Sequence, residues 1–204
     1  MPFLHRLAWG AVALALSFAP ATASATVVRA LSLEEKTHLA ELVVRAEVEA
    51  IDTRWADGKG FLETRVTWRV VETLKGAVRA GEKLTVWQGG GEKDGHVQHI
   101  SGTDTFRRGE QAVLFLERGP KSAWVQLGIG IGKYGIETRG AAKIVTHAPQ
   151  VSLAVVRPGE PMKIEPATPM PPLPLAEFMA QVRAIVKHDA PLERRPAISG
   201  PAGR

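Results

Sequence analysis

The chain has 204 residues, no cysteine, 26 lysines and arginines against 21 aspartates and glutamates, and a formal net charge of +5. Without cysteine there is no disulfide, no thiolate metal site and no lipid anchor on an N-terminal cysteine. The two signs of charge are interspersed, with cationic runs no longer than pairs such as Arg107-Arg108 and Arg194-Arg195, so the basic ridge of a nucleic-acid binder is missing.

In chain order, the first 25 residues read as an export signal. Arg6 supplies the positive flank, Leu7 to Phe18 the apolar run, and Ala23-Ser24-Ala25 the small residues a signal peptidase reads, so cleavage is expected before Thr26. A membrane span takes about 20 apolar residues, and Pro20 interrupts this run early. The expectation is a periplasmic or secreted protein with no stable membrane anchor after cleavage.

Ser32-Leu33-Glu34-Glu35 matches a capping box, in which the serine hydroxyl and the second glutamate satisfy each other's backbone N–H. It predicts a short helix to about Glu41. Val44, Ala46, Val48 and Ala50 then alternate with Arg45, Glu47 and Glu49, the pattern of a half-buried strand. Asp57-Gly58-Lys59-Gly60 has turn chemistry. Phe61 to Leu74 alternates again, with Val66, Trp68 and Val70 on the inward face. Leu84 to Gln88 predicts a third strand with Leu84 and Val86 inward, and Gly89-Gly90-Gly91 breaks the chain before an irregular stretch, His96 to Ile100. Gln111 to Glu117 reads as a strand buried on both faces. Shorter strands are expected at 124–127, 134–138, 143–146 and 151–156, with Gly128, Gly130 and Gly132 favouring coiled backbone.

Seven of the 14 prolines fall between Arg157 and Pro174, which predicts an extended surface strap. Leu175, Phe178, Met179, Val182, Ile185 and Val186 recur at helical spacing as one apolar stripe. The organisation expected is therefore a signal peptide at 1–25, a β-barrel domain at 26–156, a Pro-rich strap at 157–174, an amphipathic helix at 175–189 that docks on the barrel, and a disordered tail at 190–204.

The capped helix feeding a V-x-A-x-V-x-A strand, the hairpin ending in Leu74-Lys75-Gly76, the glycine break, Ser101-Gly102, Arg108-Gly109-Glu110, Val113-Leu114-Phe115-Leu116 and Gly132-Lys133-Tyr134 together resemble a family of uncharacterised exported bacterial proteins. Those proteins are similar to the OB-like barrel of tissue inhibitors of metalloproteases and netrin-type modules. The resemblance spans roughly Leu31 to Ile136. It implies a five-stranded, partly closed barrel, a shape that offers a binding face and loops. Joined to the strands and helices read above, the expectation is a mainly β fold, a five- to seven-stranded OB-like barrel with a short N-terminal helix and a C-terminal amphipathic helix. Inhibitors of that fold chelate zinc through an N-terminal cysteine, which this chain lacks, so that mechanism does not carry over.

The densest polar stretch holds Glu92, Asp94, His96, His99, Ser101 and Asp104. Asp94, His96 and His99 form a candidate metal set, since neutral imidazole with a carboxylate suits zinc or copper. On a strand, residues three apart point to opposite faces, so only an irregular loop brings both histidines to one ion. Ser101 with His99 and Asp104 gives a hydrolase reading, without the G-x-S-x-G elbow. Gly128-x-Gly-x-Gly132-Lys133 lacks the spacing of a phosphate loop and the helix that should follow, leaving Lys133 an exposed neighbour of a coiled strand. Trp55, Trp87 and Trp124 are candidate ligand platforms, as outward aromatics on a barrel. The reading is an exported, non-enzymatic binding or protein-interaction module that needs no cofactor and takes an extracytoplasmic protein as partner. A metal-dependent site around His96 and His99 and a glycan-binding barrel are the alternatives.

Overall fold

The computed structural model describes residues 27–56, 60–149, 151–155 and 161–188. The expected signal peptide and tail lie outside the described residues, as do Asp57, Gly58 and Lys59 of the expected turn.

The chain is mainly β, with one short helix near its start and one near its end. β1 (Val27–Arg29) leads into α1 (Leu33–Leu39). The capping box forms: Glu35 N–H donates to Ser32 Oγ at 3.1 Å, and Ser32 N–H donates to Glu35 Oε2 at 2.9 Å. The helix stops at Ala40, where the backbone turns extended (ψ 131°), short of the expected end.

β2 (Leu42–Trp55) and β3 (Leu62–Lys75) form a long antiparallel ribbon. β2 runs past the expected Ala50 because its far end keeps pairing with β3 after leaving the core. Register shifts at Val43/Val44, Arg45/Ala46 and Val48/Ala50 bend it. There follow β4 (Lys83–Gly89), β5 (Gly91–Lys93), β6 (His96–Gln98), β7 (Gln111–Arg118), β8 (Trp124–Gln126), β9 (Lys133–Arg139), β10 (Ala142–His147), β11 (Ser152–Val155), β12 (Lys163–Pro166), β13 (Met170–Pro174) and α2 (Leu175–Lys187).

Eight strands pair in the order β13-β10-β9-β7-β2-β3-β4-β8, and β8 also pairs with β7 through Leu116↔Gln126, Glu117↔Val125 and Arg118↔Trp124. The pairings β2–β3–β4–β8–β7 therefore return to β2. Within that circuit only β4 and β8 run parallel, joined at Val86↔Trp124. A separate three-stranded sheet has the order β1-β11-β12.

Alternation along β2 and β7 sorts the core into two clusters. Leu42, Val44, Ala46 and Val48 join Ala112, Leu114, Leu116, Val66, Trp68, Val70, Leu84 and Val86. On the opposite faces Val43, Val113 and Phe115 meet Tyr134, Val145 and the stripe Leu175, Phe178, Met179 and Val182 of α2. β7 is thus buried on both faces, as its unbroken apolar run predicts, and the α2 stripe docks on the sheet.

The Pro-rich segment differs from expectation. Its described part is paired rather than loose: β12 lies antiparallel to β11, and β13 lies antiparallel to β10. Prolines tolerate these outer strands because an outer strand has one side free of ladder bonds. Pro174 closes β13 in extended geometry (φ −55°, ψ 135°) as the residue before α2, and the helix ends at Lys187 instead of residue 189.

Candidate functional site

The three candidate tryptophans do not share a platform. Trp87 stands on β4 opposite Arg65 of β3. The Arg65 guanidinium lies 4.0 Å from its ring centroid and that of Arg54 5.3 Å away, and both arginines pair with Glu63. A cation held over an indole face is an attractive contact, so Trp87 is half-buried under its own arginines. Trp55 sits on the other face of the ribbon, at the end of β2 opposite Leu62. It is 38% exposed. Trp124 is no outward platform: it packs against the cluster that includes Trp68, and the Arg118 guanidinium covers it at 3.5 Å. Its register with inward Val86 turns it that way.

The stretch expected to be irregular is a hairpin. Asp94 and Gly95 take positive φ (50° and 76°), which zips β5 to β6. An Asp-Gly pair supplies the turn such a two-residue connection demands. Trp55 Nε1–H donates to Asp94 Oδ2 at 3.3 Å, and the Trp55 and His96 rings meet edge-on at 5.2 Å. His96 Nδ1 lies 3.1 Å from the Asp94 carbonyl oxygen, and His99 is exposed beyond β6. Among the described residues no group of three or more histidines, cysteines or carboxylates is placed to hold a metal ion, so Asp94, His96 and His99 are not brought together as a ligand set.

Asp104, the acid of the hydrolase reading, is engaged by Lys133. Its Oδ1 pairs with Lys133 Nζ at 3.6 Å. Burial pushes the Asp104 carboxyl above its ordinary range, against the opposing pull of the Lys133 ammonium and the Gln126 side chain. Thr103 donates its N–H and its hydroxyl to the Ile100 carbonyl at 3.1 and 2.8 Å, closing the turn after Ser101. The glycine stretch leads into β9, not a helix. Gly130 is pressed against the Gly102 carbonyl, where a Cβ has no room.

Lys133 is not the exposed neighbour expected. Its side chain is 12% exposed, pairs with Glu110 at 2.8 Å and donates to the Thr105 carbonyl at 3.2 Å. It forms the floor of an open cleft of about 590 Å³ that Asp104, Arg108, Glu110, Glu137 and His147 also line. Three cations, Lys133, Arg107 and Arg108, and three carboxylates, Asp104, Glu110 and Glu137, line the cleft together.

Behind the cleft lies a titratable cluster that sequence reasoning missed. His147 Nδ1–H donates to the Lys133 carbonyl at 2.8 Å, which leaves Nε2 to accept from Lys36 Nζ at 3.4 Å. Lys36 Nζ also donates to Tyr134 Oη at 2.8 Å, and the Tyr134 and His147 rings stack at 4.1 Å. Burial lowers the Lys36 ammonium to about 8. Burial and then the Lys36 charge lower the His147 imidazole to about 4, and burial raises the Tyr134 phenol. The available signal was a lysine at the position one turn after Leu33, on the face that Thr37 and Ala40 bury.

The remaining feature is apolar. Ile51 (41% exposed), Trp55, Phe61 (36%) and Val97 (73%) lie on the far part of the β2–β3 ribbon and on β6. Gly91 seats the hairpin on that ribbon, for a Cβ there would stand 2.6 Å from Thr53 Cγ2. No protein-family model matches the chain, and no curated protein matches it.

Proposed function

We propose that the chain is an exported, non-enzymatic binding module on an OB-like barrel, and that the far end of the β2–β3 ribbon with the β5–β6 hairpin contacts an extracytoplasmic protein. The barrel reading is supported by the circuit of pairings that returns to β2 and by its single parallel junction, β4–β8. Such barrels present ligands with loops and outer faces. The observation that carries the contact surface is the exposure of Ile51 and Trp55 at the far end of the ribbon and of Val97 on the hairpin that Trp55 contacts, since grouped exposed apolar side chains mark interaction sites where scattered ones do not. Export rests on the apolar run from Leu7 to Phe18 and the small residues before Thr26.

A photo-crosslinking amino acid placed at Val97 in living cells tests this, with exposed Thr138 on β9 as the control position. The expected result is a discrete adduct in the envelope fraction from position 97, weakened by Trp55→Ala and missing from position 138. Equal labelling at the two positions, or none at 97, overturns the contact surface. Retention of the full-length chain in the cytosol overturns export.

A further inference from the structure

β12 is the outer strand of the sheet β1-β11-β12, and among the described residues it pairs only with β11. All four of its residues are exposed, Ile164 at 59%, and Met162 just before it is 60% exposed. An open edge of this kind is a template for another strand. The other outer strand at this end of the chain, β13, carries Pro171, Pro172 and Pro174 and so offers few donors.

The hydrogen-bond pattern shows what β12 presents. Ala154 lies opposite Ile164, yet its carbonyl accepts from Ala30 N–H at 3.0 Å on the β1 side. Ala167 N–H turns inward to the Val151 carbonyl at 3.1 Å. Backbone groups alternate sides along a strand, so the N–H and C=O of Ile164 point to the open edge.

The residues around Ile164 are self-complementary. In an antiparallel pair of two copies with Ile164 opposite Ile164, each Ile164 N–H donates to its mate's Ile164 carbonyl, and each Met162 N–H donates to its mate's Pro166 carbonyl. Lys163 of each copy then stands across from Glu165 of the other on one face, while Ile164 meets its mate on the other. Opposite charges directly across a strand pair stabilise it and like charges oppose it. Pro166, which has no N–H, stops the ladder from extending and fixes its register. We infer that two copies of this chain associate about a two-fold axis by antiparallel pairing of β12 with β12, joining their three-stranded sheets into one.

Sedimentation equilibrium of the exported chain over a concentration series tests the arrangement. The wild type is expected to show a reversible monomer–dimer equilibrium. Glu165→Lys places lysine across from lysine at both symmetric positions and is expected to weaken the dimer by about tenfold. The double reversal Lys163→Glu with Glu165→Lys is expected to restore it, and Ile164→Pro to abolish it. Circular dichroism of each variant separates a lost interface from a lost fold. A wild type that stays monomeric throughout overturns the inference, as does a dimer that Glu165→Lys leaves intact or that the double reversal fails to restore.

Discussion

Trp68 lies fully buried on the inward face of β3, edge-on to Phe106 with ring centroids 5.9 Å apart at 88°. Its Nε1–H has no hydrogen-bond partner among the described residues, so its apolar area has to outweigh an unmet donor. Trp68→Ala is expected to destabilise the fold by about 3–5 kcal/mol, read by chemical denaturation. A loss under about 1 kcal/mol would show that the neighbours close the space. This position was legible in the sequence because Val66 and Val70 set a period of two around it. Trp124 was not, since a three-residue strand has too few neighbours to define a face, and its inward turn comes from register with Val86. Lys36 and His147 were hidden for a different reason. Their contacts join residues 98 and 111 positions apart, a distance that local pattern does not reach.

At the scale of elements, the same cluster fastens α1 to β9 and β10. The helix has seven residues, too few to persist without tertiary contacts. Its capping box was legible because both partners lie within one turn, whereas the latch that places the helix on the sheet was not. Lys75 adds a second fastening, donating to the Thr37 and His38 carbonyls at 2.9 Å each. The latch makes stability depend on pH. His147 holds its proton with a value near 6.5 when unfolded and about 4 when folded, so between these the unfolded chain binds more protons. Stability from this group is present above about 6.5 and is lost as pH falls towards about 4. Lys36 acts in the same direction in a higher window, stability rising as pH climbs from about 8 to 10.5. Denaturation midpoints at pH 7 and 4.5 for the wild type and His147→Gln check the acid limb. The wild type should lose on the order of 2 kcal/mol more than the variant across that interval, and parallel losses would remove His147 as the cause.

For the whole molecule, β2 and β7 each serve two clusters, so the halves of the core share their central strands. The alternation in β2, β3, β4 and β7 made this layout readable, while the pairing of β12 and β13 was obscured by a proline content that equally suits unpaired chain. Closure of the strand circuit rests on a slender junction: β8 has three residues, and it meets β4 at a single pair. Local opening follows the weakest packing. Amide hydrogens of Trp124–Gln126 are therefore expected to exchange before those of Val66–Val70, as followed by NMR, and equal protection would mean that the circuit opens only as a unit. The same junction has a meaning in time. The β2–β3 ribbon and the β7–β8 hairpin each close over a short loop and can form early, whereas the parallel pair Val86↔Trp124 joins β4 to β8 from far apart in the chain and has to wait for both. That one pair is thus expected to be the last to form during folding and the first to part, which makes it the clasp through which the molecule is put on and taken off.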